Sequence, residues 1–132
     1  MQTTTTGTGT GSSAATDETD RLIASDKVEG TAVYNRQGER LGSVYNFMVD
    51  KRSGQVAYAV LAYGGFLGIG DNYYPLPWKS LKYDTGQGGY VVDLDKDRLQ
   101  GAPSYSSSEA PDWSDPGYSR RIDDYYGRFP GI

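Results

Sequence analysis

The 132 residues include no cysteine and no histidine. Without cysteine there is neither a disulfide nor a thiolate nucleophile, and the redox compartment leaves no trace in the sequence. Without histidine the commonest general base and the commonest transition-metal ligand are both gone. No segment approaches the ~18 uninterrupted apolar residues of a membrane-crossing helix, so no integral membrane segment is expected. The formal charge of −4 is also missing from the middle of the chain: residues 25–101 hold nine acidic and nine basic side chains. Gripping phosphates needs clustered Lys and Arg, so nucleic acid is not expected as a partner.

What is abundant is glycine, with 18 residues, and tyrosine, with 12. Tyrosine suits half-buried pleated surfaces and glycine suits tight turns, so the composition predicts a turn-rich β protein. The stretch from Gln55 to Leu81 sets the plan. Val56, Tyr58 and Val60 alternate with Ala57, Ala59 and Leu61, which makes both faces of one strand apolar and predicts burial on both sides. Tyr73 to Trp78 follows after a glycine-rich loop. Pro75 and Pro77 remove two N–H donors from one side of this segment, marking it as an edge or barrel-seam strand.

Ahead of this stretch, residues 1–21 are mostly Thr, Gly and Ser with late acids, and disorder is the expectation. With neither a basic n-region nor an apolar h-region, the segment does not read as a signal peptide, which points to a cytoplasmic protein. A strand is predicted from Gly30 to Tyr34, a turn at NRQGE with Gly38 at positive φ, and a second strand from Leu41 to Asp50 with Tyr45, Phe47 and Val49 on its more apolar face. Lys51 to Gly54 turns the chain into the central strand. Further on, Lys79 to Asp84 and Tyr90 to Asp95 complete six short strands, and Asp95 caps one helical turn that ends at Gly101. Residues 103–111 read as a linker. Asp115 followed by Pro116 starts a helix that Gly127 stops, with Tyr118, Ile122 and Tyr125 or Tyr126 on one face. So short a helix must dock on something, and a small core favours its own barrel.

Four features invite a chemical reading. Gly65 to Gly70 has the spacing of a phosphate loop, but Asp71 stands where lysine is required and would repel phosphate. Asp93, Asp95 and Asp97 open like a calcium loop, yet Arg98 replaces the sixth-position glycine and Ser104 the twelfth-position glutamate. Asp50, Asp71 and Asp84 could supply a carboxylate pair, although no spacing makes two of them converge. None of these defines a catalytic residue, a cofactor site or a metal site. The fourth feature is Phe66, Leu67 and Ile69, three large apolar side chains in one loop, which predict either a lid on the core or a protein contact surface.

With these segments in view, VEGTAVYNRQGERLGSV, DKRSGQVAYAVL, GGFLGIGDNYYPLPWKSLKYD and GGYVVDLDKDRLQGAPSY together resemble a PRC-barrel domain, the family named for the photosynthetic reaction-centre H subunit. The pairing of the glycine loop with PLPW is the most specific part, and WSDP…RRIDDYYG resembles the tail of short bacterial members. The resemblance implies an all-β fold, a small six-stranded antiparallel barrel over residues 22–104, followed by a linker and short helix over 105–132. It also implies an adaptor rather than an enzyme. The contact residues expected are Phe66, Leu67 and Ile69 of the loop and Tyr118, Ile122 and Tyr125 of the helix. The partner is an unidentified protein or a second copy of the chain. Two other roles follow from the family: an accessory of reaction-centre electron and proton transfer, and a ribosome-assembly factor linked to RNA.

Overall fold

The computed structural model describes residues 21–63 and 72–129, arranged around one mixed β-sheet. The glycine-rich loop with Phe66, Leu67 and Ile69, and the tail expected to be disordered, lie outside the described residues. A short helix α1 (Ser25–Val28) precedes β1 (Ala32–Tyr34), β2 (Arg40–Val49), β3 (Val56–Tyr63) and β4 (Asn72–Pro77). A 3₁₀ turn at Trp78–Ser80 leads into β5 (Leu81–Asp84), β6 (Gly89–Val92), α2 (Lys96–Gln100), β7 (Tyr105–Ser106) and α3 (Pro116–Tyr126).

The strands lie in the order β5-β6-β1-β2-β3-β4-β7. This corrects the expected six-stranded antiparallel barrel in three respects. Among the described residues there are seven strands, β1 pairs with β6 in parallel, and no ladder joins β5 to β7. The parallel pair arises because β5 and β6 form a hairpin that returns beside β1, with Val33 opposite Tyr90 and Tyr34 opposite Val91. Alternation of side chains is the same in either strand direction, so the pattern could not reveal it. The seventh strand comes from the predicted linker, where Tyr105 and Ser106 pair with Tyr73 and Asn72.

Local chemistry explains the turns. Asn35 is fully buried at the end of β1, and its side-chain oxygen accepts from the N–H groups of Gln37 and Glu39 at 3.0 and 2.9 Å. Its amide nitrogen donates to Glu39 Oε1 at 2.8 Å, so the buried side chain is satisfied. Gly38 closes this turn at φ 85°, as the sequence predicts. On β4, pairing with β3 runs from Asn72 to Pro77, whereas pairing with β7 stops at Tyr73. The ladder on the β7 side ends just before the two prolines that have no donor to give.

β2 departs from simple alternation. Tyr45 is skipped between Val44 and Asn46 in the pairing with β3, a bulge that shifts everything after it by one residue. Val44 and Phe47 therefore both pack in the core, while Tyr45 and Val49 are left exposed. Of the predicted apolar face Tyr45, Phe47 and Val49, only Phe47 faces inward.

One core runs through the molecule. Val33, Val44, Leu61, Leu76 and Val92 of the sheet join Leu94, Leu99 and the helical residues Tyr118, Ile122 and Tyr126 in a single cluster. Ala59, Val60 and Leu61 are all buried, so β3 is covered on both faces as its composition predicts. Helix α3 starts where expected. Asp115 accepts from the Gly117 N–H at 2.9 Å, Pro116 takes the first turn, and Gly127 caps the end. The helix docks on its own domain, mainly against β4.

Candidate functional site

The carboxylates singled out by sequence serve the backbone. Asp50 accepts from the N–H groups of Ser53 and Arg52, which hold its carboxyl below the usual range and shape the β2–β3 turn. Asp84 is held low by the Gln87 amide and the Gly86 N–H in the β5–β6 turn. Asp95 caps α2 by accepting from Arg98 N, and Asp93 lies 3.4 Å from Arg36. Asp71 lies outside the described residues. No cluster of three or more acidic side chains placed to hold a metal ion occurs among the described residues.

The helical residues expected to meet a partner divide. Tyr118 and Ile122 are buried in the chain's own core. Tyr125 is half-buried, and its hydroxyl donates to the carbonyl oxygen of Arg98 in α2. Tyr126, the alternative to Tyr125 in the sequence pattern, is the residue that enters the core, where burial first and neighbouring tyrosines second push its phenol far above the usual range.

A surface that sequence reasoning missed lies across β2, β4 and β7. The Tyr45 and Tyr73 rings are 4.6 Å apart, and the Tyr73 and Tyr105 rings are 5.4 Å apart, giving a continuous row of three tyrosines. The β2 bulge turns Tyr45 outward, the β3–β4 register sets Tyr73 on the face opposite Tyr74, and the β4–β7 ladder places Tyr105 beside Tyr73. Tyr45 is 50% exposed, while Tyr73 and Tyr105 are half-buried. Burial, followed by the nearby phenols of Tyr118, Tyr45 and Tyr73, pushes Tyr105 up to about 12. Tyr105 therefore remains uncharged through the neutral range. Tyr105 also borders an open cleft of about 260 Å³ whose charged lining is Glu109, Asp112 and Asp115 with one cation, Arg121. Asp112 is held below the ordinary carboxylate range by the Ser114 hydroxyl and N–H, so its carboxylate stays charged at neutral pH. The available signal was weak: Tyr73 alternates with a core tyrosine, and Tyr105 sits in a segment whose serines read as linker.

The geometry thus defines a small mixed-sheet β domain with an aromatic surface and carboxylates engaged in turns and caps. Its family follows from the sequence profile of the PRC-barrel domain, which matches residues 20–99. The chain belongs to the PRC-barrel domain family, whose small domains often take part in protein interactions. Among curated proteins none matches the chain. No helix among the described residues is long and apolar enough to cross a membrane.

Proposed function

We propose that this protein is a non-enzymatic adaptor of the bacterial cytoplasm that holds another protein through the tyrosine row of β2, β4 and β7. The row itself carries the reading: three rings in successive contact through Tyr73, one of them half exposed, on strands whose opposite face is committed to the core. Aromatic side chains bring large contact area with few rotatable bonds and are enriched where proteins meet. Glu109, Asp112 and Asp115 outnumber the single cation Arg121 in the neighbouring cleft, and that acidic excess favours a partner that presents Lys or Arg beside its apolar area. The non-enzymatic part of the reading rests on Asp50, Asp84 and Asp95, each engaged by backbone N–H groups of its own turn or cap. Phe66, Leu67 and Ile69 stay in the proposal as a second contact on sequence grounds, and Tyr125 as a helix-borne one. Tyr118 and Ile122 leave it because they are needed by the core.

The test uses the full chain as bait in extracts of the source cell, followed by titration of the purified captured protein. Tyr45→Arg should weaken that binding by at least about tenfold and leave thermal stability unchanged, as an exposed contact residue does. Equal binding by Tyr45→Arg and the unaltered chain would remove the row from the function.

A further inference from the structure

At the other end of the sheet, β5 has a ladder on one side only. It pairs with β6 through Leu81–Val92, Lys82–Val91, Tyr83–Tyr90 and Asp84–Gly89, and no strand lies along its outer edge among the described residues. An uncovered edge presents main-chain donors and acceptors to whatever can complete them. Leu81 and Tyr83 share the core face. Leu81 is buried, whereas Tyr83 is 44% exposed although its ring meets Tyr90 edge-on at 5.2 Å and Tyr90 in turn meets Trp78 at 5.5 Å. The aromatic part of the core thus runs to the border of the sheet and stops at a half-covered ring. On the opposite face of β5 are one cation and one anion, Lys82 and Asp84.

From this edge we infer that β5 pairs with β5 of a second copy of the chain, antiparallel and centred on Tyr83. The register follows by elimination. Residues on the same face must oppose one another, so the two-fold axis passes through a residue rather than between two. Centred on Lys82, the pairing sets two lysines opposite each other. Centred on Asp84, it sets two aspartates together and places Tyr83 against Thr85. Centred on Leu81, it leaves Lys82 against Ser80 and Tyr83 beyond any apolar neighbour. Centred on Tyr83, it sets Lys82 opposite Asp84 twice and Tyr83 opposite Tyr83, so the charges compensate and the two half-covered rings cover each other. This pairing stands apart from the partner surface proposed above, because the tyrosine row lies toward the β4–β7 end of the sheet. A dimer of this kind keeps both rows open, which would make a two-handed adaptor. A four-residue ladder is short, so the dimer belongs with weak, concentration-dependent associations.

The experiment is sedimentation equilibrium of the full chain up to about 1 mM, with amide chemical shifts followed over the same dilution series. The unaltered protein should move from monomer toward dimer, with the concentration-dependent shifts confined to residues 80–85 and their β6 neighbours. Lys82→Glu puts four negative charges across the pairing and should weaken it by at least about tenfold, with the melting temperature unchanged because Lys82 is exposed. Tyr83→Glu serves as a second variant should Lys82→Glu fail to fold, with the same loss of pairing and a lower melting temperature because its ring packs on Tyr90. A monomer at every concentration, a dimer that Lys82→Glu leaves intact, or shifts located away from β5 would each overturn the inference. None of these results bears on partner binding by Tyr45, so the two proposals fail separately.

Discussion

The hydroxyl of Tyr125 donates to the carbonyl oxygen of Arg98, joining the C-terminal helix to the helix that follows the last long strand pair. Around that bond, the Arg98 guanidinium lies 4.8 Å from the centre of the Phe129 ring, and Tyr58 donates to Asp123 at 3.2 Å from the other side of α3. These polar ties flank an apolar contact in which Ile122 is fully buried and Tyr126 nearly so. The C-terminal segment is therefore part of the domain's core.

Ile122→Ala should accordingly destabilise the protein by about 2–5 kcal/mol, the range for emptying a buried aliphatic site. Removing residues 105–132 should lower the melting temperature further and raise dye binding to newly exposed apolar surface. Urea titration and thermal melts check both. A truncated chain with an unchanged melting temperature would mean that α3 contributes nothing to the core.

Gly42 tests the close approach of β2 and β3. A methyl group at this position would run into the carbonyl oxygen of Ala62 and lie 3.1 Å from a Leu61 methyl. The carbonyl belongs to a paired backbone that cannot rotate aside as a side chain would. Gly42→Ala should therefore cost about 1–3 kcal/mol as overpacking, despite its lower backbone entropy in the unfolded chain. Chemical denaturation measures it, and an equal or higher midpoint would show that the strands part easily here.

The sequence was legible wherever local chemistry decided the outcome. The Asn35–Gly38 turn, the Asp95 and Asp115 caps, the two-sided burial of β3 and the proline-limited edge of β4 all follow from residues within a few positions of one another. What stayed hidden was set between distant segments. The β1–β6 direction depends on how the β5–β6 hairpin returns, and β7 forms because Tyr73 offers an edge to Tyr105. The bulge at Tyr45 had the largest effect on the surface, since skipping one residue left an expected core side chain as the exposed end of the tyrosine row. Asp50, Asp84 and Asp95 each accept from an N–H two or three residues further on, a turn or cap signal that is local in the sequence.

Alkaline pH offers the last test, and its sign is fixed by burial. Tyr126 sits in the core with its hydroxyl lacking a protein hydrogen-bond partner, and burial raises its ionisation well above the ordinary 10.0; Tyr105 moves up to about 12 for the same leading reason. In the unfolded chain both phenols release their protons near the ordinary value, while in the folded chain they keep them. Unfolding then releases protons, so rising pH favours the unfolded state. The stability these two groups contribute is present in full below pH 10 and is lost progressively above it, toward and beyond the raised folded values. Melts between pH 8 and 11.5, with phenolate absorbance recorded in parallel, should show a falling midpoint and a fraction of tyrosines that ionise only as the protein unfolds. Tyr126→Phe removes the main group responsible and should flatten the decline above pH 10 while leaving the profile below it unchanged in slope. An alkaline decline identical in the two proteins would place Tyr126 in contact with water and away from the core.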